Sequence, residues 1–535
     1  MSPVFLFSAR IFETLSKPIS KPKWLFLYSS WCLLFLGLIG LSGCQTPERD
    51  IVTPADTLSE RLTGLEQYIA SPDPTYAYEL VNTVKHDGYT THILKMTSQQ
   101  WLTPAEVKDP TWWHWVTIVE PDSVQSSIGW LYIRSGDRQT EQPLDASDLG
   151  KTVALSTHSI VTEVHNIPNQ PIEFVEDEFG PRYEDEMIAY AWRQYLEFGA
   201  NPEDAVWLPR LPMTKAIVRA MDTVSEYSAD ALGYPVDRFV LAGASKRGWT
   251  TWTTAAVDDR VIAISPMVID MLNLVPSFQH HWQAYGQWSP AVGDYEQEGI
   301  MDWLASAEYQ CLLETVEPYS YRERLTLPKL LINATGDQFF LPDSWRFYWE
   351  GLPSEKQLRY IPNTGHSLRE TDVIETLTAF HQAIITETPL PSMDWEVVEG
   401  KLVIQTDPAN QPTTVTLWQA INPQSRDFRI DVIDETWIGN DIPIAENGRY
   451  QLTVAPPDEG WRAFFAEMTF PTAGEFPLKL TTGVVVKPDT LTYEPFESQN
   501  PMGNSSTVCS VGAPVSSDAS LRTEIRPSAY VHQLD

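Results

Sequence analysis

Arg238-Phe-Val-Leu-Ala-Gly243-Ala-Ser245-Lys-Arg-Gly248 carries a short apolar strand through Gly-x-Ser-x-x-Gly and straight into a helical pattern. A serine on such a tight turn, between small neighbours, stands with its hydroxyl exposed. The backbone N–H that follows it is then free to hold a developing oxyanion. This is the arrangement of a nucleophile elbow, with one departure. The fifth position of the usual Gly-x-Ser-x-Gly is Arg247, and the second glycine falls at 248. Two other readings stay open on this stretch alone. A dinucleotide loop of the Gly-x-Gly-x-x-Gly type would have a glycine where Ser245 stands, so that pyrophosphate could approach. An ordinary strand–helix turn needs no chemistry at all.

The order of residues downstream favours the nucleophile. Lys329-Leu-Leu-Ile-Asn-Ala-Thr-Gly-Asp337 is an apolar strand ending in Gly-Asp, 92 residues after Ser245. Arg359-Tyr-Ile-Pro-Asn-Thr-Gly-His366 is another strand with a loop histidine, 29 residues further on. Serine, then acid, then histidine, each after a strand, is the chain order of the α/β-hydrolase triad. In those roles His366 takes the Ser245 proton and returns it to the leaving group, while Asp337 orients the imidazole. Asp343, in Leu-Pro-Asp-Ser, follows the same strand and is the alternative acid. A second oxyanion donor is expected after an early strand, in Leu131-Tyr-Ile-Arg-Ser-Gly136-Asp137, from the N–H of Gly136 or Asp137. Lys246, beside the nucleophile, either adds positive charge to the site or is a solvated lysine at a helix start.

Around these residues, apolar runs and helical patterns alternate from about 61 to 390. Strands are predicted at Trp115–Val119, Trp130–Ile133, Val153–Leu155, Arg238–Ala242, Val261–Ile269, Lys329–Asn333 and Leu358–Ile361. Helices are predicted at Tyr183–Phe198, Pro212–Leu232, Ser245–Ala256 and Thr371–Thr386. The alternation implies an α/β fold with a doubly wound, mostly parallel sheet covered on both faces. Residues 271–328 interrupt the rhythm with a Trp- and Tyr-rich insertion. It reads either as a lid whose His280, His281, Trp282, Tyr285 and Trp288 line a substrate cleft, or as a small aromatic core. About seven short alternating segments over 392–486 predict an Ig-like β-sandwich without cysteine. The Ser-, Thr- and Pro-rich stretch 488–535 reads as a disordered tail.

The chain has 535 residues, 37 Lys and Arg against 71 Asp and Glu, and a formal charge of −34. That balance excludes nucleic acid and electrostatic docking on anionic lipid as partners, because both need clustered cations. The N-terminus has a different character. Arg10, Lys17, Lys21 and Lys23 precede the uncharged run Trp24–Leu41, and Leu41-Ser-Gly-Cys44 resembles the lipobox of bacterial lipoproteins. Residues 1–43 are expected to be an export signal and 44–60 a tether, with Cys44 lipid-modified as the membrane anchor. Gln45 after the cysteine favours the outer membrane of a bacterial cell envelope. A retained membrane helix is the alternative. Cys311 and Cys509 then remain, which permits one disulfide. There is no His-Glu-x-x-His, paired Cys-x-x-Cys, Asp-rich calcium loop or P-loop. Neither a metal nor another cofactor is expected.

Several blocks together resemble the PhoPQ-activated pathogenicity-related protein family. They are Leu65-Glu-Gln-Tyr-Ile-Ala-Ser-Pro-Asp-Pro-Thr-Tyr-Ala-Tyr, Trp207-Leu-Pro-Arg-Leu-Pro-Met-Thr-Lys-Ala, Ala220-Met-Asp-Thr-Val, Leu241-Ala-Gly-Ala-Ser-Lys-Arg-Gly-Trp-Thr-Thr-Trp, Ala334-Thr-Gly-Asp-Gln-Phe-Phe-Leu-Pro-Asp-Ser and Asn363-Thr-Gly-His-Ser. The resemblance covers roughly residues 60–486. It implies an α/β-hydrolase fold, often with an Ig-like C-terminal region, and a candidate triad, but no defined substrate. The elbow is also similar to that of glucuronoyl esterases, where the basic residue after the serine helps the oxyanion. That likeness implies such a role for Lys246. Arg134-Ser-Gly-Asp-Arg stands where the family pattern has a glycine-rich loop. The expected activity is acyl transfer to water on a small acylated substrate, esters ahead of amides. A non-catalytic surface protein that keeps the fold for binding or signalling is the alternative.

Overall fold

A computed structural model describes residues 63–504, apart from 354 and 399. The expected signal, Cys44 and the tether lie outside the described residues. Nine strands make one sheet: β1 (Ala77–Lys85), β2 (Tyr89–Gln100), β3 (Thr111–Pro121), β4 (Ile128–Ile133), β5 (Val161–Val164), β6 (Arg238–Ala244), β7 (Val261–Met267), β8 (Lys329–Ala334) and β9 (Lys356–Ile361). Their order across the sheet is β1-β2-β3-β5-β4-β6-β7-β8-β9. From β5 to β9 every neighbouring pair is parallel. The pairs β1–β2, β2–β3 and β3–β5 are antiparallel. Central strands such as Lys329-Leu-Leu-Ile-Asn-Ala are buried at every position, as strands covered on both faces must be.

The helices in chain order are α1 (Gly64–Ala70), α2 (Asp148–Thr157), α3 (Glu184–Glu197), α4 (Arg210–Tyr227), α5 (Lys246–Val257), α6 (Leu274–Tyr285), α7 (Gly293–Gln297), α8 (Ala307–Val316) and α9 (Val373–Ile385), with a single turn, α10 (Ile430–Ile433), in the C-terminal region. α5 carries four threonines over Thr250–Thr254 and would favour a strand on propensity. It is a helix because Thr250, Thr251, Thr253 and Thr254 each donate to the carbonyl four residues back, which satisfies their hydroxyls in a dry setting. Trp249 and Trp252 are buried on the same helix.

One strand reading needs correction. Val153–Leu155 lies inside α2, where Ser147 caps Gly150 N–H and the buried positions Gly150, Val153, Ala154 and Thr157 recur at helical spacing. The β1–β2 hairpin carries no sequence signal, because β1, at the sheet edge, is exposed at most positions and shows no apolar face. α4 starts at Arg210 rather than Pro212, with Pro212 still in its first turn, where its missing N–H costs nothing.

The C-terminal strands β10 (Met393–Val398), β11 (Lys401–Thr406), β12 (Thr414–Asn422), β13 (Ile438–Asp441), β14 (Arg449–Thr453), β15 (Trp461–Phe470), β16 (Leu478–Thr481) and β17 (Val485–Lys487) form two antiparallel sheets. One has the order β10-β11-β14, the other β13-β12-β15-β16 with β17 also on β15. Leu402, Ile404, Phe464, Met468 and Phe470 are fully buried in this β-sandwich. The sandwich shares its packing with the large sheet. Tyr360 N–H of β9 donates to Thr481 Oγ1 of β16 at 2.9 Å, and Trp345 Nε1 donates to Val484 O at 2.8 Å.

The segment 488–504 does not match the expected tail. Phe496 packs on Trp282 and Trp288 with ring centroids 4.8 and 5.0 Å away, and Gln279 exchanges two hydrogen bonds with the Phe496 backbone. Asn504 bonds α8 through Ala307 N–H and Glu308. One aromatic anchor and backbone bonding hold a stretch that its composition alone would leave loose. Residues 505–535 lie outside the described residues, while Cys311 on α8 is disulfide-bonded. No helix among the described residues is long and apolar enough to cross a membrane.

Candidate active site

β6 delivers Ser245 into a turn held at φ +58° and ψ −128°, where residues with a side chain are rare. Such backbone strain costs about 1–3 kcal/mol and persists only where the surroundings fix it. Here Ser245 N–H donates to Met267 O on β7 at 2.8 Å. A Cβ on Gly243 would meet Arg247 O at 2.5 Å, and one on Gly248 would meet Gly243 O at 3.0 Å. The close approach of helix to strand therefore falls on Gly248, which accounts for the shifted second glycine. The first bond back to the elbow runs from Trp249 N–H to Ser245 O. Lys246 N–H, at the helix start, has no partner within α5 and is available to an oxyanion.

Asp337 follows β8 and is 3% exposed. His366 follows β9, and its Nδ1 lies 3.0 and 2.9 Å from the two Asp337 carboxylate oxygens. Asp337 Oδ1 also accepts from Phe339 N–H at 2.8 Å and Phe340 N–H at 3.4 Å. A proton on Nδ1, held by the carboxylate, leaves Nε2 with its lone pair, as a general base requires. The His366 ring packs on Phe339 at 4.3 Å and Phe340 at 5.9 Å between centroids. Both phenylalanines line the cavity that holds Ser245. Among the described residues no hydrogen bond joins Ser245 to His366. Hydrogen bonds between a nucleophile and its general base in enzymes often tighten only when substrate binds.

The sandwich braces both loops. Ile430 N–H donates to Gly336 O at 3.0 Å, Gln338 Nε2 to Asp431 Oδ1 at 2.9 Å, and His366 N–H to Gln338 Oε1 at 2.9 Å. Asn363 and Trp437 exchange two more bonds. The acid and histidine loops are thus tied to each other and to one edge of the sandwich.

Asp343 is fully buried and accepts from Arg426 Nη2 at 2.5 Å and from His280 Nε2 at 3.0 Å. Burial pushes its carboxyl up, but Arg426 and His280 outweigh that and hold it well below the ordinary range. It is a counter-ion to the sandwich arginine, whereas Asp337 is the carboxylate that faces His366. The Asp343–Arg426 pair removes His280 from the expected cleft. His281 accepts from Ser289 N–H at 2.9 Å and is held neutral, its pKa lowered to about 3 by burial and by Arg429 and His280. Trp282 and Trp288 face Phe496. These four side chains build the core of the insertion, because α6 turns its other face, Leu274 and Phe278, toward Ser245.

Lys246 lines the Ser245 cavity, but its ammonium is bound by Glu184 Oε2 at 2.7 Å and Asp185 Oδ2 at 2.9 Å. It is neither solvated nor a free positive charge. Burial raises the Glu184 carboxyl, yet Arg247 and Lys246 outweigh it and hold it at about 2. Gly136 O accepts from Gln170 Nε2, which also donates to Glu184, so its loop borders this cluster. Gly136 does not line the cavity, and Asp137 N–H is taken by Thr140 Oγ1 at 2.9 Å. The structure therefore places neither of the two expected second oxyanion donors at Ser245.

The cavity at Ser245 measures about 40 Å³ and is walled by Trp192, Trp249, Ile269, Leu274, Phe278 and Phe340, with Asp185, Arg210 and Tyr295 also on its surface. Arg210 lies 4.5 Å over Trp249 and donates to Lys246 O at 3.0 Å. Glu184, Asp185 and Arg210 were not read from the sequence as site residues. Arg210 stands in the Trp207-Leu-Pro-Arg block, and the two acids open α3, where a helix start explains them equally well. Among the described residues no group of three or more His, Cys, Asp or Glu is placed to hold a metal ion.

Residues 65–429 match the family described as PhoPQ-activated pathogenicity-related protein. The chain is 39% identical over 472 residues to Autocrine proliferation repressor protein A of Dictyostelium discoideum, across 83% of this chain and 94% of that protein. Solved structures similar to it include an acetyl xylan esterase from Paenibacillus sp. R4, at 11% identity and TM-score 0.42, over 60% of this chain and 92% of that one. An acylaminoacyl peptidase of Pyrococcus horikoshii is 11% identical with TM-score 0.37, over 58% and 50%. At these scores the fold rests on the strand order and the position of each loop rather than on the neighbours.

Proposed function

The chain belongs to the PhoPQ-activated pathogenicity-related protein family and has an α/β-hydrolase fold; from that premise we propose that it is a serine hydrolase acting on short-chain acyl esters. The observation that carries the reading is the bidentate approach of Asp337 to His366 Nδ1, beside the cavity that contains a strained Ser245. Ser245 Oγ attacks the ester carbonyl while His366 Nε2 takes its proton, and the tetrahedral oxyanion is held by Lys246 N–H. Collapse expels the alcohol, protonated by His366, and water repeats the sequence on the acyl-enzyme. A water molecule needs about 10–15 Å³ of such space, so a cavity of about 40 Å³ suits an acetyl or propionyl group. Hydrolysis of p-nitrophenyl acetate should exceed that of the octanoate, and Ser245→Ala should lower it by at least about 10³-fold. A folded wild type with no activity on any ester of the series would overturn the reading.

Two observations favour a second reading, a non-catalytic binding or signalling protein: Ser245 is only 9% exposed, and a relative at 39% identity is named for repressing proliferation. The N-terminal pattern supports a further proposal, export and anchoring through lipid on Cys44 at a bacterial envelope.

A further inference from the structure

A second cavity, of about 220 Å³, opens where the end of α6, the sandwich and the segment after β17 meet. Its walls combine held aromatic rings with free amides. Trp461 is fixed by its Nε1 donating to Thr490 O at 3.2 Å. Tyr493 rests on the Gly286 backbone, where φ is +70° and a Cβ would strike the tyrosine ring at 2.5 Å. Tyr285 is covered on one face by the Arg429 guanidinium at 4.6 Å, and its hydroxyl is buried with no partner. Gln287 and Gln424, both exposed, reach the same space. Arg429 is already satisfied by both oxygens of Asp427 at 3.0 Å. A charged ligand would have to break that pair or leave its own charge unmatched.

We infer that this cavity binds a neutral saccharide. Ring faces offer the apolar C–H side of a pyranose a flat surface, and amides that both donate and accept match hydroxyls that do the same. The site stands independently of the esterase reading, because Ser245 is not among its walls. It nevertheless abuts the His366 loop: Arg429 donates to Ser289 Oγ at 3.1 Å, and Ser289 donates to Gln338 O at 2.6 Å. Gln338 is the residue that holds His366 N–H.

The test is calorimetric titration of the full-length protein with maltose, cellobiose, xylobiose and N,N′-diacetylchitobiose, beside glucuronate and glucosamine as charged controls. At least one neutral disaccharide should bind. Gln424→Ala, an exposed change that leaves the fold alone, should weaken it about fivefold, the loss expected for one hydrogen-bonding side chain. Trp461→Ala should abolish it, and Ser245→Ala should bind as wild type does. Three results would overturn the inference: no disaccharide binds, both wall variants bind normally, or a charged control is preferred. Loss of binding in Ser245→Ala with Gln424→Ala unaffected would put the sugar in the other cavity and would also overturn it. Absence of ester hydrolysis with disaccharide binding intact would fault the esterase reading alone.

Discussion

Exchanging Asp337 for asparagine separates the role of this carboxylate from that of its neighbour Asp343. Asp337 Oδ1 accepts the Phe339 and Phe340 amides, so the asparagine oxygen must take that place to keep them paired. The Nδ2 donor is then left facing His366 Nδ1, which can only accept it. The imidazole proton moves to Nε2, and the nitrogen that should take the serine proton has none of its lone pair left to offer. Loss of the triad carboxylate by this route lowers kcat by about 10⁴, or about 5.4 kcal/mol at 1.36 kcal/mol per tenfold. Because the backbone amides stay satisfied, the melting temperature should hardly change. Asp343→Asn is the reverse case. It strips the buried Arg426 of its counter-ion, a loss of about 3–5 kcal/mol in stability, while the fraction that remains folded keeps near-normal kcat. The assay is kcat on p-nitrophenyl acetate beside thermal melts for both variants. Activity within tenfold of wild type in folded Asp337→Asn, or a triad-scale loss in Asp343→Asn at unchanged stability, would refute the assignment.

Three other outcomes follow from the structure. Asp270 is buried against the hydroxyls of Tyr348 and Tyr360, and burial, with Asp337 and Asp343 nearby, raises its pKa to about 8 despite those hydrogen bonds. A group raised in the folded state contributes fully below its unfolded pKa of about 3.9, and that contribution is lost as pH rises through about 8. Asp270→Asn should therefore gain on wild type in urea melts between about pH 5 and pH 9, and a difference that does not vary with pH would contradict the burial argument. Phe278→Ala widens the Ser245 cavity and should raise the octanoate-to-acetate ratio of kcat/KM by about tenfold, read from ester kinetics. Cys44→Ala should move the protein from the membrane to the soluble fraction on ultracentrifugation, and continued retention would favour an uncleaved helix.

The hydrolase architecture was legible because β6 and β8, inside the sheet and covered on both faces, read as short apolar runs leading to Ser245 and Asp337, while β9, at the sheet edge and interrupted by Arg359, still carries Leu358, Tyr360 and Ile361 ahead of the His366 loop. Periodicity failed where burial is one-sided or shared with a distant partner. β1 has no apolar face to display, and Val153–Leu155 alone has a strand's composition, whereas the Ser147 cap and the helical spacing of Gly150, Val153, Ala154 and Thr157 make it part of α2. The histidines and tryptophans of 271–328 showed the composition of a cleft, but composition does not say which face of α6 meets Ser245. That is set by Arg426 and Phe496, about 150 to 220 residues away in the chain. The choice between Asp337 and Asp343 likewise needed the sandwich arginine. Lys246 gave no sign in sequence that two acids of α3 would neutralise it.

The most direct test of the account is a fluorophosphonate reaction followed by tandem mass spectrometry of the labelled peptide. The predicted result is a single stoichiometric phosphonyl adduct on Ser245, formed faster than on free serine and absent in Ser245→Ala. A folded wild-type protein that takes no label, or takes it on a residue other than Ser245, would contradict the claim that these three side chains form one working centre.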